Sequence, residues 1–315
     1  MSDAARAARA AETRILLCHR LNLGDLVLAS PALQWFARRN PGVHFGLYTN
    51  DFAARVGELL PGIERVIRYR KFDAYGLPEW RALLEARRWR PESVIGLTPA
   101  ADWRLALRVR LLGGRVAAGA PEGAPRHVAE RLAWLLGWRG EEVLPPVRLA
   151  MPRGNGAGRD VAIWVSARKP SNRPRAAQVL EIVRALRARR PGVTIGVFAL
   201  PERSDNAAHL PDAEEQAALA AGLADVGLGL ETPLLDRFLG ELASSGSVIS
   251  PDGGIAHIAA GFGKPVVVLS GNVDIEAWRP YSPLARSLQA PSRRVADLRP
   301  EEIVAAWQSG VARPA

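Results

Sequence analysis

Val248-Ile249-Ser250-Pro251-Asp252-Gly253-Gly254-Ile255-Ala256-His257-Ile258-Ala259-Ala260 is the most informative stretch of the chain. Val248 to Ser250 reads as the end of a strand, Pro251 to Gly254 as a turn, and Ile255 to Ala260 as a short helix. Glycines before a helix let backbone N–H groups approach an anion closely, and the helix dipole adds favourable charge there. A diphosphate is the natural guest. Asp252 repels phosphate, so it is expected to cap the helix and brace the loop. His257 falls one turn into the helix, either as a structural histidine or as a hydrogen-bond donor to the anion. Gly263-Lys264-Pro265 then leads into the apolar run Val266–Leu269, and Ser270-Gly271-Asn272-Val273-Asp274 follows at its C-terminal end.

Outward from this stretch, short apolar runs alternate with amphipathic segments, the pattern of βαβ units in parallel sheets. In the second half the strand-like runs are Val161–Val165, Thr194–Ala199, Ser247–Ser250 and Val266–Leu269. In the first half they are Arg14–His19, Val43–Tyr48, Ile63–Ile67, Ser93–Leu97 and Arg115–Ala118, with helices expected between them, the first over Leu26–Arg39. Met151 to Gly158, rich in Gly and Pro, reads as an inter-domain linker. The expected fold is therefore α/β, with two Rossmann-like domains, 1–152 and 153–315, facing a central cleft. A final helix over Pro300–Gln308 can pack back on the first domain.

The 315 residues suit two cores of ordinary size, and 48% apolar residues suffice to fill them. No apolar run is long enough to span a membrane. The Ala/Arg-rich start lacks the apolar core of a secretory signal, and Cys18 is the one cysteine, which excludes a disulfide frame or a cysteine-cluster metal site. A cytoplasmic enzyme is expected. The charge is uneven. Residues 1–150 hold 23 Lys+Arg against 15 Asp+Glu, and residues 151–315 hold 19 against 17. A basic first half attracts an anionic partner. Nucleic acid is not expected, because the charge is spread and no binding motif is present.

Arg20-Leu21-Asn22-Leu23-Gly24-Asp25 follows the first strand, on the β-to-α turn. Gly24 permits a tight turn. Asp25 is either a helix cap or a general base, since a carboxylate at a strand end can take a proton from an acceptor hydroxyl.

Three segments together resemble glycosyltransferase family 9, the ADP-heptose:lipopolysaccharide heptosyltransferases. Ile15-Leu16-Leu17 through Gly24-Asp25-Leu26 to Leu33 is similar to the family's opening strand, Leu-Gly-Asp turn and helix. Val165-Ser166-Ala167-Arg168-Lys169-Pro170-Ser171-Asn172-Arg173-Pro174 resembles its loop after the first strand of the nucleotide domain. Pro251 through Ala260, Gly263-Lys264-Pro265 and Trp278-Arg279-Pro280-Tyr281 resemble its long C-terminal signature. The family commonly carries Trp where Arg173 stands.

The resemblance implies a GT-B fold and an inverting, metal-independent transfer with no cofactor, from a nucleotide-sugar donor such as ADP-heptose to a lipopolysaccharide core or lipid A-linked acceptor. It places the donor on the C-terminal domain, at Asp252, Gly253, Gly254 and His257 with one of Arg168, Lys169 or Arg173, and makes Asp25 the base. Acceptor contacts are expected from Asn22 and Gly24 and, on charge grounds, from Arg65, Arg68, Arg70, Lys71, Arg104, Arg108 and Arg126, with peripheral contact to the inner membrane. The alternatives are a nucleotide-sugar epimerase of the same fold, or transfer to a protein acceptor.

Overall fold

The computed structural model describes residues 13–19, 22–69, 80–98, 103–118, 123–152, 156–201 and 213–311. The chain divides into two compact units, residues 1–150 and 151–315.

The first domain holds strands β1 (Thr13–Cys18), β2 (Val43–Asn50), β3 (Ile63–Tyr69), β4 (Ser93–Thr98) and β5 (Arg115–Ala118). Its helices are α1 (Leu23–Leu28), α2 (Ser30–Arg39), α3 (Asp51–Gly57), α4 (Trp80–Arg88), α5 (Trp103–Leu111) and α6 (Val128–Leu135). The sheet order is β3-β2-β1-β4-β5, and every pairing is parallel. The helix expected over Leu26–Arg39 is two helices. The chain breaks at Ala29, and Pro31 sits in the first turn of α2, where its missing N–H costs nothing.

The second domain holds β6 (Val161–Trp164), α7 (Ala176–Arg189), β7 (Ile195–Phe198), α8 (Ala213–Asp225), β8 (Leu230–Glu231) and α9 (Leu235–Ser244). It continues with β9 (Ser247–Pro251), α10 (Gly254–Gly261), β10 (Val266–Ser270), α11 (Ile275–Trp278), β11 (Ala285–Gln289) and α12 (Pro300–Val311). The order is β8-β7-β6-β9-β10-β11, again parallel throughout. β9 and β10 are buried along their whole length, as central strands covered on both faces must be. Strands β8 and β11 were not expected. Both lie at sheet edges and are only partly buried, so neither carries a continuous apolar run.

The segment expected as a linker is pinned in part. Gly156 N–H donates to Ser244 Oγ at 2.8 Å and Ala157 N–H to the buried Glu241 carboxylate at 3.0 Å. A Cβ on Gly156 would lie 2.5 Å from Glu241 Cα, so this glycine serves close packing rather than freedom of the chain. Helix α12 lies on the second domain's own elements, against α7, β10 and β11. Buried Trp307 donates its indole N–H to Ser247 Oγ at 2.8 Å.

In each sheet the strand order reverses beside the domain's first strand. That places a switch point between β1 and β4 and another between β6 and β9. Ligands of open α/β sheets bind at the C-terminal ends of strands at such points. The two most informative loops of the sequence, Asn22–Asp25 and Asp252–Gly254, follow β1 and β9.

Candidate active site

In the second domain the sequence offers two helix N-termini at the switch point, and the structure separates them. The N–H of Ala176, at the start of α7, donates to the Glu215 carboxylate at 2.7 Å. That helix start already holds an internal anion. Helix α10 differs. Its N-cap is Gly253, which brings no side chain of its own. No atom lies within 4 Å of where a Cβ on Gly253 would stand. Open space beside Gly253 and the helix dipole together suit a phosphate group.

Asp252 stands just before the N-cap Gly253 and braces the loop. Its N–H donates to Leu269 O at 2.8 Å, extending the β9–β10 ladder. Its carbonyl and carboxylate accept from Asn172 Nδ2 at 3.2 and 3.4 Å. Asn172 is buried in the 3₁₀ turn Pro170–Asn172 after β6. A third loop joins them: a Cβ on Gly271 would lie 2.3 Å from Asn172 Oδ1 and 2.4 Å from Ser171 O. Gln289, at the end of β11, donates to Gly271 O and Val273 O at 2.5 and 3.0 Å. The loops after β6, β9 and β10 are thus stitched into one rim. Asn172, Gly271 and Gln289 carry the stitching, and no role was expected for any of them.

The three candidate cations separate. Arg173 turns back on its own loop, donating from Nε to Ala167 O at 3.0 Å and from a terminal nitrogen to Arg168 O at 3.5 Å. Lys169 Nζ reaches Asn272 O at 3.4 Å and stays exposed at the rim. The Arg168 side chain is exposed. His257 is buried within α10.

In the first domain α1 begins at Leu23, one turn earlier than expected. Asn22 is its N-cap and Asp25 its third residue, and the two form a capping box. Asn22 N–H donates to Asp25 Oδ2 at 2.9 Å, with Asn22 Nδ2 3.4 Å from the same oxygen. Asp25 is half-buried and Gly24 is buried. The box fixes the carboxylate's direction just past the end of β1.

Behind this turn Cys18 and His19 are buried and held neutral. Burial pushes the Cys18 thiol up to about 12, which removes it as a nucleophile. His19 Nδ1 lies 3.3 Å from Thr49 Oγ1, and burial depresses its imidazole to about 3. Below the ordinary histidine value of 6.5 the unfolded chain takes up a proton that the fold refuses. Stability is therefore expected to fall as pH drops from 6.5 toward 3, by up to about 1.4 kcal/mol per pH unit. Urea unfolding at neutral and mildly acidic pH measures this loss. His19→Gln should recover part of it, and an equal loss in variant and wild type assigns the acid sensitivity elsewhere.

The expected acceptor contacts scatter. Arg65 pairs with Glu85 at 2.7 Å and Arg68 pairs with Glu58, both on the exposed surface. Arg104 is exposed and stacks on Trp103, with 5.2 Å from guanidinium to ring centroid. Arg108 is not a surface contact. It is only 5% exposed and lies 4.7 Å over the Tyr69 ring, with one terminal nitrogen on Arg104 O at 3.2 Å. Arg126 is exposed. Arg70 and Lys71 lie outside the described residues. Among the described residues no group of three or more His, Cys, Asp or Glu could hold a metal ion, and no helix is long and apolar enough to cross a membrane.

Residues 198–307, from the end of β7 to α12, match the model of glycosyltransferase family 9 (heptosyltransferase). No curated protein matches the chain. Among solved structures, a family 9 glycosyl transferase from Veillonella parvula has a TM-score of 0.76 at 15% identity, covering 95% of this chain and 97% of that one. E. coli ADP-heptose lps heptosyltransferase II has a TM-score of 0.74 at 14% identity, over 95% and 98%. E. coli heptosyltransferase WaaC, solved with ADP, has a TM-score of 0.68 at 17% identity, over 95% and 100%. The fold is thus GT-B, as expected, and the match to a glycosyltransferase family lies in the second domain.

Proposed function

We propose that the chain moves a heptose, or a closely related sugar, from an ADP-sugar to a hydroxyl of a lipopolysaccharide core or similar anionic acceptor, with inversion at the anomeric carbon. The open glycine start of α10 at Asp252-Gly253-Gly254, pinned by Asn172, is the observation that carries this reading. It is the helix start at this switch point that begins on a glycine in open space, and it lies within the residues that match family 9. ADP as the donor diphosphate is supported by the likeness to WaaC, which was solved with ADP.

In the transfer, Asp25 takes the proton of the acceptor hydroxyl as its oxygen attacks the anomeric carbon. The bond from that carbon to the phosphate oxygen breaks, and the diphosphate leaves with the electron pair. The amides of Gly253 and Gly254 and the first turn of α10 receive the charge, with Lys169 and Arg168 beside them. Arg173 holds the loop from which those cations project, so it is a positioning residue. Asn22 and Gly24 shape the acceptor side of the turn. The basic first domain suits a phosphorylated acceptor presented at the cytoplasmic face of the inner membrane.

Thermal unfolding with ADP, UDP, GDP and CDP tests the donor. ADP at a hundredfold excess over its Kd is expected to stabilise the protein by about 2.7 kcal/mol, and the other three much less. Equal stabilisation by all four removes the case for ADP. Incubation of donor without acceptor separates transfer from epimerisation: the donor sugar stays unchanged in the first and is converted in the second.

A further inference from the structure

Helices α4 and α5 repeat one surface pattern. Trp80, Arg81, Leu84, Arg87 and Arg88 are exposed on α4, at positions i, i+1, i+4, i+7 and i+8. Trp103, Arg104, Leu107, Arg110 and Leu111 are exposed on α5 at the same spacing. This spacing keeps each set on one side of its helix. The opposite sides, with Ala82 and Ala86 on α4 and Leu105 and Val109 on α5, fill the domain core. The helices are neighbours, since Arg87 donates to Leu111 O at 2.8 Å.

Folding alone gives no reason for this face. Trp80 is 63% and Trp103 69% exposed, and Leu84, Leu107 and Leu111 are exposed beside them. Each tryptophan carries a guanidinium over its ring, Arg81 at 5.4 Å and Arg104 at 5.2 Å. Both tryptophans open helices that follow strands, so they lie toward the ligand-binding edge of the sheet. Glu85 is the acidic residue of α4 and is paired with Arg65, and α5 has none.

We infer that this face docks the protein on an anionic lipid bilayer. Tryptophan rings settle at the headgroup level, leucines enter the acyl boundary, and arginines lie along the apolar surface with their charge on lipid phosphates. A second copy of the chain would oppose arginine to arginine. Nucleic acid would satisfy the arginines and leave the leucines in water. The inference deepens the proposed function by giving a lipid-borne acceptor a surface on which to meet the enzyme. It is measured without donor or acceptor, so its failure leaves the transfer reading untouched.

The test is co-sedimentation of the full chain with phosphatidylcholine vesicles, with and without phosphatidylglycerol. Binding is expected with phosphatidylglycerol, weakly or not at all without it, and falling as salt rises. Trp80→Ser with Trp103→Ser should weaken binding about tenfold or more. Arg81→Glu with Arg110→Glu should weaken it on the order of 30-fold and flatten the salt dependence. Both double variants should keep the wild-type far-UV circular dichroism and Tm, because the substituted side chains are exposed. Failure of the wild type to bind phosphatidylglycerol vesicles overturns the inference. So does binding by both variants at wild-type strength, or a solution dimer that the tryptophan variant dissolves.

Discussion

Asp25→Asn is expected to lower turnover by about 10²–10⁴-fold while donor affinity stays at the wild-type level. The substitution keeps size and shape and removes the proton acceptor. The capping box complicates the reading, because Asp25 also accepts from the N–H of Asn22 at the start of α1. Loss of a cap costs about 1 kcal/mol. A companion variant separates the two roles. Asn22→Ala removes the capping side chain and leaves the Asp25 carboxylate in place. It should unfold at lower denaturant, yet keep turnover within a few-fold of wild type. If the two variants lose turnover equally, the work of Asp25 is to hold the helix start. Near-normal turnover of Asp25→Asn would sink the base assignment outright.

The capping box at Asp25 shows where sequence reading stops. A helix start near Asp25 was legible from the strand end at His19 and the glycine of the turn. The position of Asp25 within that helix was not. A one-turn shift in the start moved it from cap to third residue, and helix boundaries are set by hydrogen bonds that the apolar pattern does not record. The strand, turn and helix around Asp252 were legible because β10, buried on both faces, reads as an apolar run, and Pro251, Gly253 and Gly254 mark the turn after β9. Strands β8 and β11 were illegible for the converse reason, as edges need only partial burial.

The rim of the candidate donor site was the least legible part. Asn172 meets Asp252 across 80 positions of chain. Its neighbours Arg168, Lys169 and Arg173 drew attention by charge, whereas the amide that joins the loops carries none. The long basic side chains behaved likewise in the first domain. Arg65 and Arg68 form local surface pairs, and Arg108 folds over Tyr69 into the core. Composition gave the first domain's net charge but not which guanidinium stays free for a ligand, because that depends on which carboxylate or ring the fold brings alongside.

Gly271→Val is expected to raise the donor KM by on the order of 100-fold and to lower stability by about 1–3 kcal/mol, leaving the acceptor KM unchanged. The added Cβ alone would stand 2.3 Å from Asn172 Oδ1 and 2.4 Å from Ser171 O. Both are parts of the β6 loop, and Ser171 O is backbone, so no side-chain rotation relieves the clash. The β6 and β10 loops must part. Asn172 then leaves the carbonyl and carboxylate of Asp252, and the turn before α10 loses its brace. Asn172→Ala isolates that last step: it removes the brace without the clash, and about a tenfold rise in donor KM is expected. The two variants should therefore order as Gly271→Val worse than Asn172→Ala, with Lys169→Ala lowering donor affinity without loss of stability, since its side chain is exposed. Isothermal titration with ADP and urea unfolding of the same preparations measure both quantities. Wild-type ADP affinity in a destabilised Gly271→Val protein would place the donor away from this rim.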